Sequence, residues 1–153
     1  MIYFLDTSAL AKRYLTQKGS NRMRRLLEHR DDGFYQGFLT PLEIASALYR
    51  RLRSQEISQD DLFVLLRAYV AHSHQDYILI PYSDALIDRA SALVARHVLR
   101  ALDAIQVASA LGLKDSLPTE ALPLTFLSAD DRLLDAARRE HLQAENPEKW
   151  RSA

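Results

Sequence analysis

The sequence has no cysteine among its 153 residues. Disulfides and thiolate-bound metals are therefore excluded, and any metal must be held by oxygen or nitrogen ligands. Net charge is missing as well, since 20 basic residues balance 20 acidic ones. No global field announces a nucleic acid or a membrane surface, so a polyanion-binding face has to come from local clusters. No apolar run approaches the ~20 residues of a membrane-spanning helix, and Met1 to Leu5 is too short for a signal peptide. The expected compartment is the cytosol, with no membrane partner. There is no internal repeat, low-complexity tract or linker. Apolar material is plentiful at 48% of the chain, enough for a single domain with a sizeable core. We expect that domain over residues 1–145 and a short tail over 146–153, because Asn146-Pro147 reads as the end of order.

The most informative stretch is Met1-Ile-Tyr-Phe-Leu-Asp6-Thr-Ser-Ala-Leu10. Ile2 to Leu5 reads as a short strand buried on both faces, as in a parallel sheet. Asp6-Thr7-Ser8 supplies N-cap chemistry for a helix from about Ser8 to Leu15. A strand that ends in a carboxylate and turns at once into a helix puts that carboxylate at the carboxyl edge of the sheet, where open α/β sheets bind ligands.

Further strands are expected at Phe34–Leu39, Tyr77–Ile80 and Leu124–Leu127, with a possible edge strand at Leu142–Ala144. Between them fall helices near Asn21–Arg30, after Thr40-Pro41, at Gln59–His74, from Ser83 or Asp84 to His97, at Ala104–Leu113 and from Ser128 to Arg139; residues 113–123 read as loop. Gly19-Ser20 stops one segment and caps the next. Pro41 suits a first helical turn, and Thr40 with Glu43 forms a capping-box pattern. The Gln59 helix carries more apolar surface than an exposed helix needs, which assigns part of it to a partner. Short buried strands alternating with helices give a parallel sheet covered on both faces.

Four acids stand at element starts: Asp6, Glu43, Asp103 and Asp130. Taken singly, each has a capping or helix-dipole explanation. Taken together, right-handed crossovers in a parallel sheet bring strand ends and the helix starts that follow them to one edge. Two like charges about 4 Å apart repel by roughly 4 kcal/mol at an effective dielectric of about 20, so such a cluster calls for raised pKa values or a cation. Oxygen ligands alone point to Mg²⁺ or Mn²⁺ rather than Zn²⁺, and a hard cation with open positions suits phosphate-ester hydrolysis. Thr7 or Ser8 can support a ligand carboxylate or a phosphate oxygen.

Four segments carry a family resemblance: Ile2-Tyr-Phe-Leu-Asp-Thr-Ser-Ala-Leu-Ala-Lys12, Thr40-Pro-Leu-Glu-Ile-Ala-Ser-Ala-Leu48, Leu99-Arg-Ala-Leu-Asp-Ala-Ile-Gln-Val-Ala-Ser-Ala110 and Phe126-Leu-Ser-Ala-Asp-Asp-Arg-Leu-Leu134. In this order and spacing the chain resembles PIN-domain ribonucleases, and among them the VapC toxins of type II toxin–antitoxin pairs. The resemblance implies a PIN-like three-layer α/β/α sandwich with four to five short parallel strands. It implies a Mg²⁺- or Mn²⁺-dependent endoribonuclease with metal ligation around Asp6, Glu43, Asp103 and Asp130. It also implies a homodimer, and a VapB-like antitoxin that obstructs the cleft in a heterotetramer or larger assembly. Of the adjacent Asp130 and Asp131 it assigns Asp130, the acid of Ser128-Ala-Asp, and leaves Asp131 as a capping or solvated residue.

Other signals are weaker. His72-Ser-His74-Gln-Asp76 has metal-like spacing but reads as a solvated helix end. Basic groups along the chain read mainly as solvated faces; Lys12, Arg13 and Arg100, near Asp6 and Asp103 in sequence, are the candidates for RNA phosphate contact. Tyr14 and Tyr49 read as packing residues, with base stacking as the alternative, and Trp150 has no assignable role. Two other functions stay open. An aspartyl-phosphate domain also places an Asp after its first strand, but Ser8 stands where haloacid-dehalogenase-like enzymes need a second acid. A non-catalytic PIN scaffold that only binds another chain would be expected to have lost at least one of the four acids.

Overall fold

The computed structural model describes residues 1–118 and 123–150. Among these residues, five strands form one parallel sheet in the order β3-β2-β1-β4-β5: β1 (Ile2–Leu5), β2 (Gly33–Gly37), β3 (Tyr77–Ile80), β4 (Leu124–Leu127) and β5 (Gln143–Glu145). β1 lies at the centre, and its register pairs Ile2 with Gly33 on one side and with Leu124 on the other. The chain steps outward from β1 to β2 and β3, then returns past β1 to β4 and β5. Asp6 therefore follows the strand at which the winding direction reverses, the switch point where doubly wound sheets open a crevice.

Among the described residues, seven α-helices cover the sheet: α1 (Thr7–Leu10), α2 (Ser20–Leu26), α3 (Thr40–Arg53), α4 (Gln59–Gln75), α5 (Asp84–Arg96), α6 (Ala101–Ser116) and α7 (Asp131–Arg139). Side chains alternate across the strands and build two cores. Phe4 and Phe126 point into one, with Leu93, Val107 and Leu134 of α5, α6 and α7. Leu5 and Leu127 point into the other, with Leu10, Met23, Ile44 and Leu62 of α1 to α4. This is the expected three-layer α/β/α arrangement, and the possible edge strand is present as β5.

Several boundaries differ from expectation. The first helix is one α-turn, followed by a 3₁₀ turn at Ala11–Arg13. α2 stops at Leu26, because the chain must reach Gly33, whose N–H bonds the Met1 carbonyl to start β2. Ser20 does not cap α2. Gly19 holds that position at φ +82°, and the Ser20 hydroxyl donates to the Leu15 carbonyl instead. α6 starts at Ala101 and continues to Ser116, into the expected loop; residues 119–122 of that loop lie outside the described residues.

Order does not end at Asn146 either. Pro147–Lys149 forms a 3₁₀ turn, Pro147 is buried, and the Trp150 indole N–H donates to Glu145 Oε2 at 2.8 Å. Trp150 thus packs on the core that holds Met23. The exposed apolar residues of α4 are Phe63, Val64 and Val70, while Leu62 and Tyr69 face inward. No helix among the described residues is long and apolar enough to cross a membrane.

Candidate active site

The carboxyl edge of the sheet opens into a cleft of about 1040 Å³, and Asp6, Glu43, Asp103 and Asp130 all line it. Thr7, Ser8 and Arg100 line it too. Acids spread over the length of the chain thus arrive at one concavity, each carried there by a strand end or a helix start.

Asp6 is 6% exposed. Its backbone N–H donates to the Leu127 carbonyl at 2.9 Å, continuing the β1–β4 ladder, and it is the N-cap of α1. Three donors converge on Oδ2: the Ser8 N–H, the Ser8 hydroxyl, and the Ser128 hydroxyl at 2.9 Å. No hydrogen bond among the described residues reaches Oδ1. The two serines also tie Asp6 to the turn after β4, since the Ser8 hydroxyl accepts from the Ala129 N–H and the Ser128 hydroxyl from the Asp130 N–H. Burial pushes the Asp6 carboxyl up to about 6; Glu43 nearby pushes the same way, and the serine hydrogen bonds offset part of the rise.

Glu43 is half-buried in the first turn of α3. The capping box does not form: Leu39 holds the N-cap position, and Thr40 is already inside the helix. The Glu43 carboxylate turns to the cleft instead. Its Oε2 accepts from the Thr7 hydroxyl and from Gln106 Nε2, both at 2.6 Å. The Oε1 atom is left without a hydrogen bond among the described residues.

Asp103 stands in the first turn of α6 and faces the cleft. Burial raises its pKa, and the charge of Asp130 raises it further, against Arg100 and Arg132. Asp130 is both a cap and a cleft residue: Oδ1 accepts from the Arg132 N–H at 2.9 Å and the Leu133 N–H at 3.4 Å. Asp131 caps nothing. It accepts from Asn146 Nδ2 at 3.1 Å and Lys149 Nζ at 2.8 Å.

The candidate phosphate contacts separate. Arg100 lines the cleft and makes no hydrogen bond or ion pair through its side chain among the described residues. Lys12 also lines the cleft, but it is 1% exposed, and its ammonium is engaged by Glu148 at 2.6 Å and the Lys18 carbonyl at 2.9 Å. Arg13 is not at the cleft. It pairs with Asp76 at 2.7 Å and donates to the Tyr77 hydroxyl at 2.6 Å. Tyr14 is buried in the core, where its hydroxyl meets His72 and Tyr77, so His72 is a packing partner of that network. Tyr49 is 43% exposed.

The sequence reading missed two contributors. Ser128 was visible only as part of a capping motif, and Gln106 only as a residue three places after Asp103. Among the described residues, no three acidic or histidine side chains are gathered closely enough, as they stand, to form a metal-holding group. The chemistry of the set nonetheless fits a hard divalent cation. Every donor is oxygen, and Asp6 and Glu43 are each anchored through one oxygen with the other left over.

The fold and the site define a three-layer α/β/α sandwich with an acidic cleft at the carboxyl edge of its parallel sheet. No protein-family model matches the sequence, and no curated protein does either. Solved structures do match. A chain of the VapBC-1 structure from nontypeable Haemophilus influenzae is 15% identical, with 97% of this chain and 100% of that one covered and a TM-score of 0.64. PAE2754 from Pyrobaculum aerophilum is 18% identical, covering 97% and 90%, at a TM-score of 0.68. A chain of the structure of FitAB bound to an IR36 DNA fragment is 13% identical, covering 99% of each, at a TM-score of 0.66. At these identities the likeness is one of fold.

Proposed function

We propose that the protein is a Mg²⁺- or Mn²⁺-dependent endoribonuclease, acting as the toxin of a VapBC-type toxin–antitoxin pair. The observation that carries this reading is the convergence of Asp6, Glu43, Asp103 and Asp130 on one cleft, with Asp6 and Glu43 each anchored through a single oxygen. The four sequence motifs support it, as does the fold shared with VapBC and FitAB structures. In this reading the four acids hold the cation. When bound, such a cation neutralises charge on the phosphate and lowers the pKa of water. Ser8 and Ser128 hold Asp6 in place, and Thr7 holds Glu43. Arg100 meets a flanking phosphate of the RNA. Water is the nucleophile, so no side chain forms a covalent bond to substrate.

The partner in this proposal is a small VapB-like antitoxin, and the protein is a cytoplasmic homodimer that joins it in a heterotetramer or larger assembly. The exposed Phe63, Val64 and Val70 of α4 give apolar surface for such contacts. The test is RNA cleavage with Mg²⁺ or Mn²⁺, by the wild-type chain and by Asp6→Asn. We expect cleavage that EDTA and the substitution each abolish. Cleavage that persists undiminished in the variant or without metal would overturn the proposal. Tight binding of a partner chain with no Mn²⁺ uptake would make the protein a non-catalytic scaffold.

A further inference from the structure

Gln106 lies on α6 one turn beyond Asp103 and is 2% exposed. Its Nε2 donates to Glu43 Oε2 at 2.6 Å and stands 3.3 Å from both the Thr7 and the Thr40 hydroxyl oxygens. Its Oε1 is the one buried side-chain polar atom among the described residues with no hydrogen-bond partner. An amide buried with its carbonyl unpaired carries a desolvation cost. Turning the amide over would not relieve it, because the carbonyl oxygen would then oppose the Glu43 carboxylate.

The backbone opposite is shaped for this arrangement. A Cβ on Gly37, the last residue of β2, would stand 3.1 Å from Gln106 Oε1. A side chain there would make the amide give by a few tenths of an ångström. Thr7 at the start of α1 and Gln106 on α6 deliver two donors to the same oxygen of a long, otherwise rotatable side chain.

We propose that Gln106 is a positioning residue for Glu43, seated by Gly37, and that it turns Glu43 Oε1 toward the bound cation. This rests on the nuclease reading above. A mere tie between α6 and α3 would affect stability and leave metal affinity alone, and that difference is the basis of the test. Mn²⁺ is titrated calorimetrically into the full chain without RNA, for the wild type, Gln106→Met, Gly37→Ala and the double variant. Methionine keeps the length of glutamine and removes its donor. We expect Gln106→Met to weaken Mn²⁺ binding about 10–100-fold, the usual effect of losing a group that orients a ligand. Gly37→Ala, whose Cβ meets the amide oxygen, should weaken binding to a lesser degree. The double variant should bind no more weakly than Gln106→Met, because Gly37 acts through the amide. The metal-free thermal midpoint of each variant is measured alongside; should Gln106→Met fail to fold, Gly37→Ala decides alone. Wild-type affinity in the single variants overturns the role of Gln106 and leaves the nuclease reading standing. A wild-type chain that binds no Mn²⁺ overturns both.

Discussion

A buried carboxylate beside another acid is a poor choice for stability. The Asp6 carboxyl has its pKa raised from 3.8 to about 6. Between those values the folded state binds more protons than the unfolded one, so stability falls as pH rises through the window and the penalty is complete above it. It amounts to about 3 kcal/mol at neutral pH. Metal-free Asp6→Asn should therefore unfold at higher urea than the wild type at pH 7.5, because an amide oxygen can accept the same three donors. The advantage should shrink as the pH is lowered from 6 to 4, and chemical denaturation in EDTA at several pH values checks it. Arg100, a cleft cation with no side-chain hydrogen bond or ion pair among the described residues, gives a second prediction that rests on the proposed function. Arg100→Ala should weaken RNA binding several-fold and reduce the salt slope of binding by about one, with the metal-free fold unchanged. Lys12 is the counterexample at this scale. Its sequence neighbourhood resembles that of Arg13, and nothing in the sequence foretells that its ammonium is buried against Glu148.

At the scale of elements, the strands were legible almost to the residue at β1, β3 and β4, because short apolar runs between an acid, a proline or a serine leave little choice of period or length. α4 was legible for a different reason: Ser58 and Asp61 form a reciprocal capping box, a signal contained within four residues. Ser58→Ala should cost about 1 kcal/mol, seen as a lower unfolding midpoint with Mn²⁺ affinity unchanged, since α4 carries no acid of the cleft. α3 shows where local reading fails. Thr40 and Glu43 have the same spacing and residue types as a capping box, yet Glu43 answers to Thr7 and Gln106, residues 36 and 63 positions away. A local pattern was overruled by partners that become neighbours only once the sheet has formed. For the same reason the acids were readable as a set, through topology, and their supporting hydrogen bonds were not.

At the scale of the molecule, the last described residues belong to the domain. Glu148 neutralises the buried Lys12, and the Pro147 carbonyl packs against Gly19, where a Cβ would come within 2.9 Å of it. Truncation after Glu145 removes the carboxylate and leaves the Lys12 ammonium with a single carbonyl. We expect a loss of at least about 2 kcal/mol, as when one partner of a largely buried ion pair is deleted, measured by urea unfolding of the shortened chain. The winding of the sheet has a consequence for synthesis. β1 leaves the ribosome first, but the strand on its far side and the serine that steadies Asp6 are made more than a hundred residues later. An unfinished chain cannot assemble the cleft, so under the nuclease function proposed above the growing polypeptide would stay inert toward the RNA around it until β4 and the turn after it emerge.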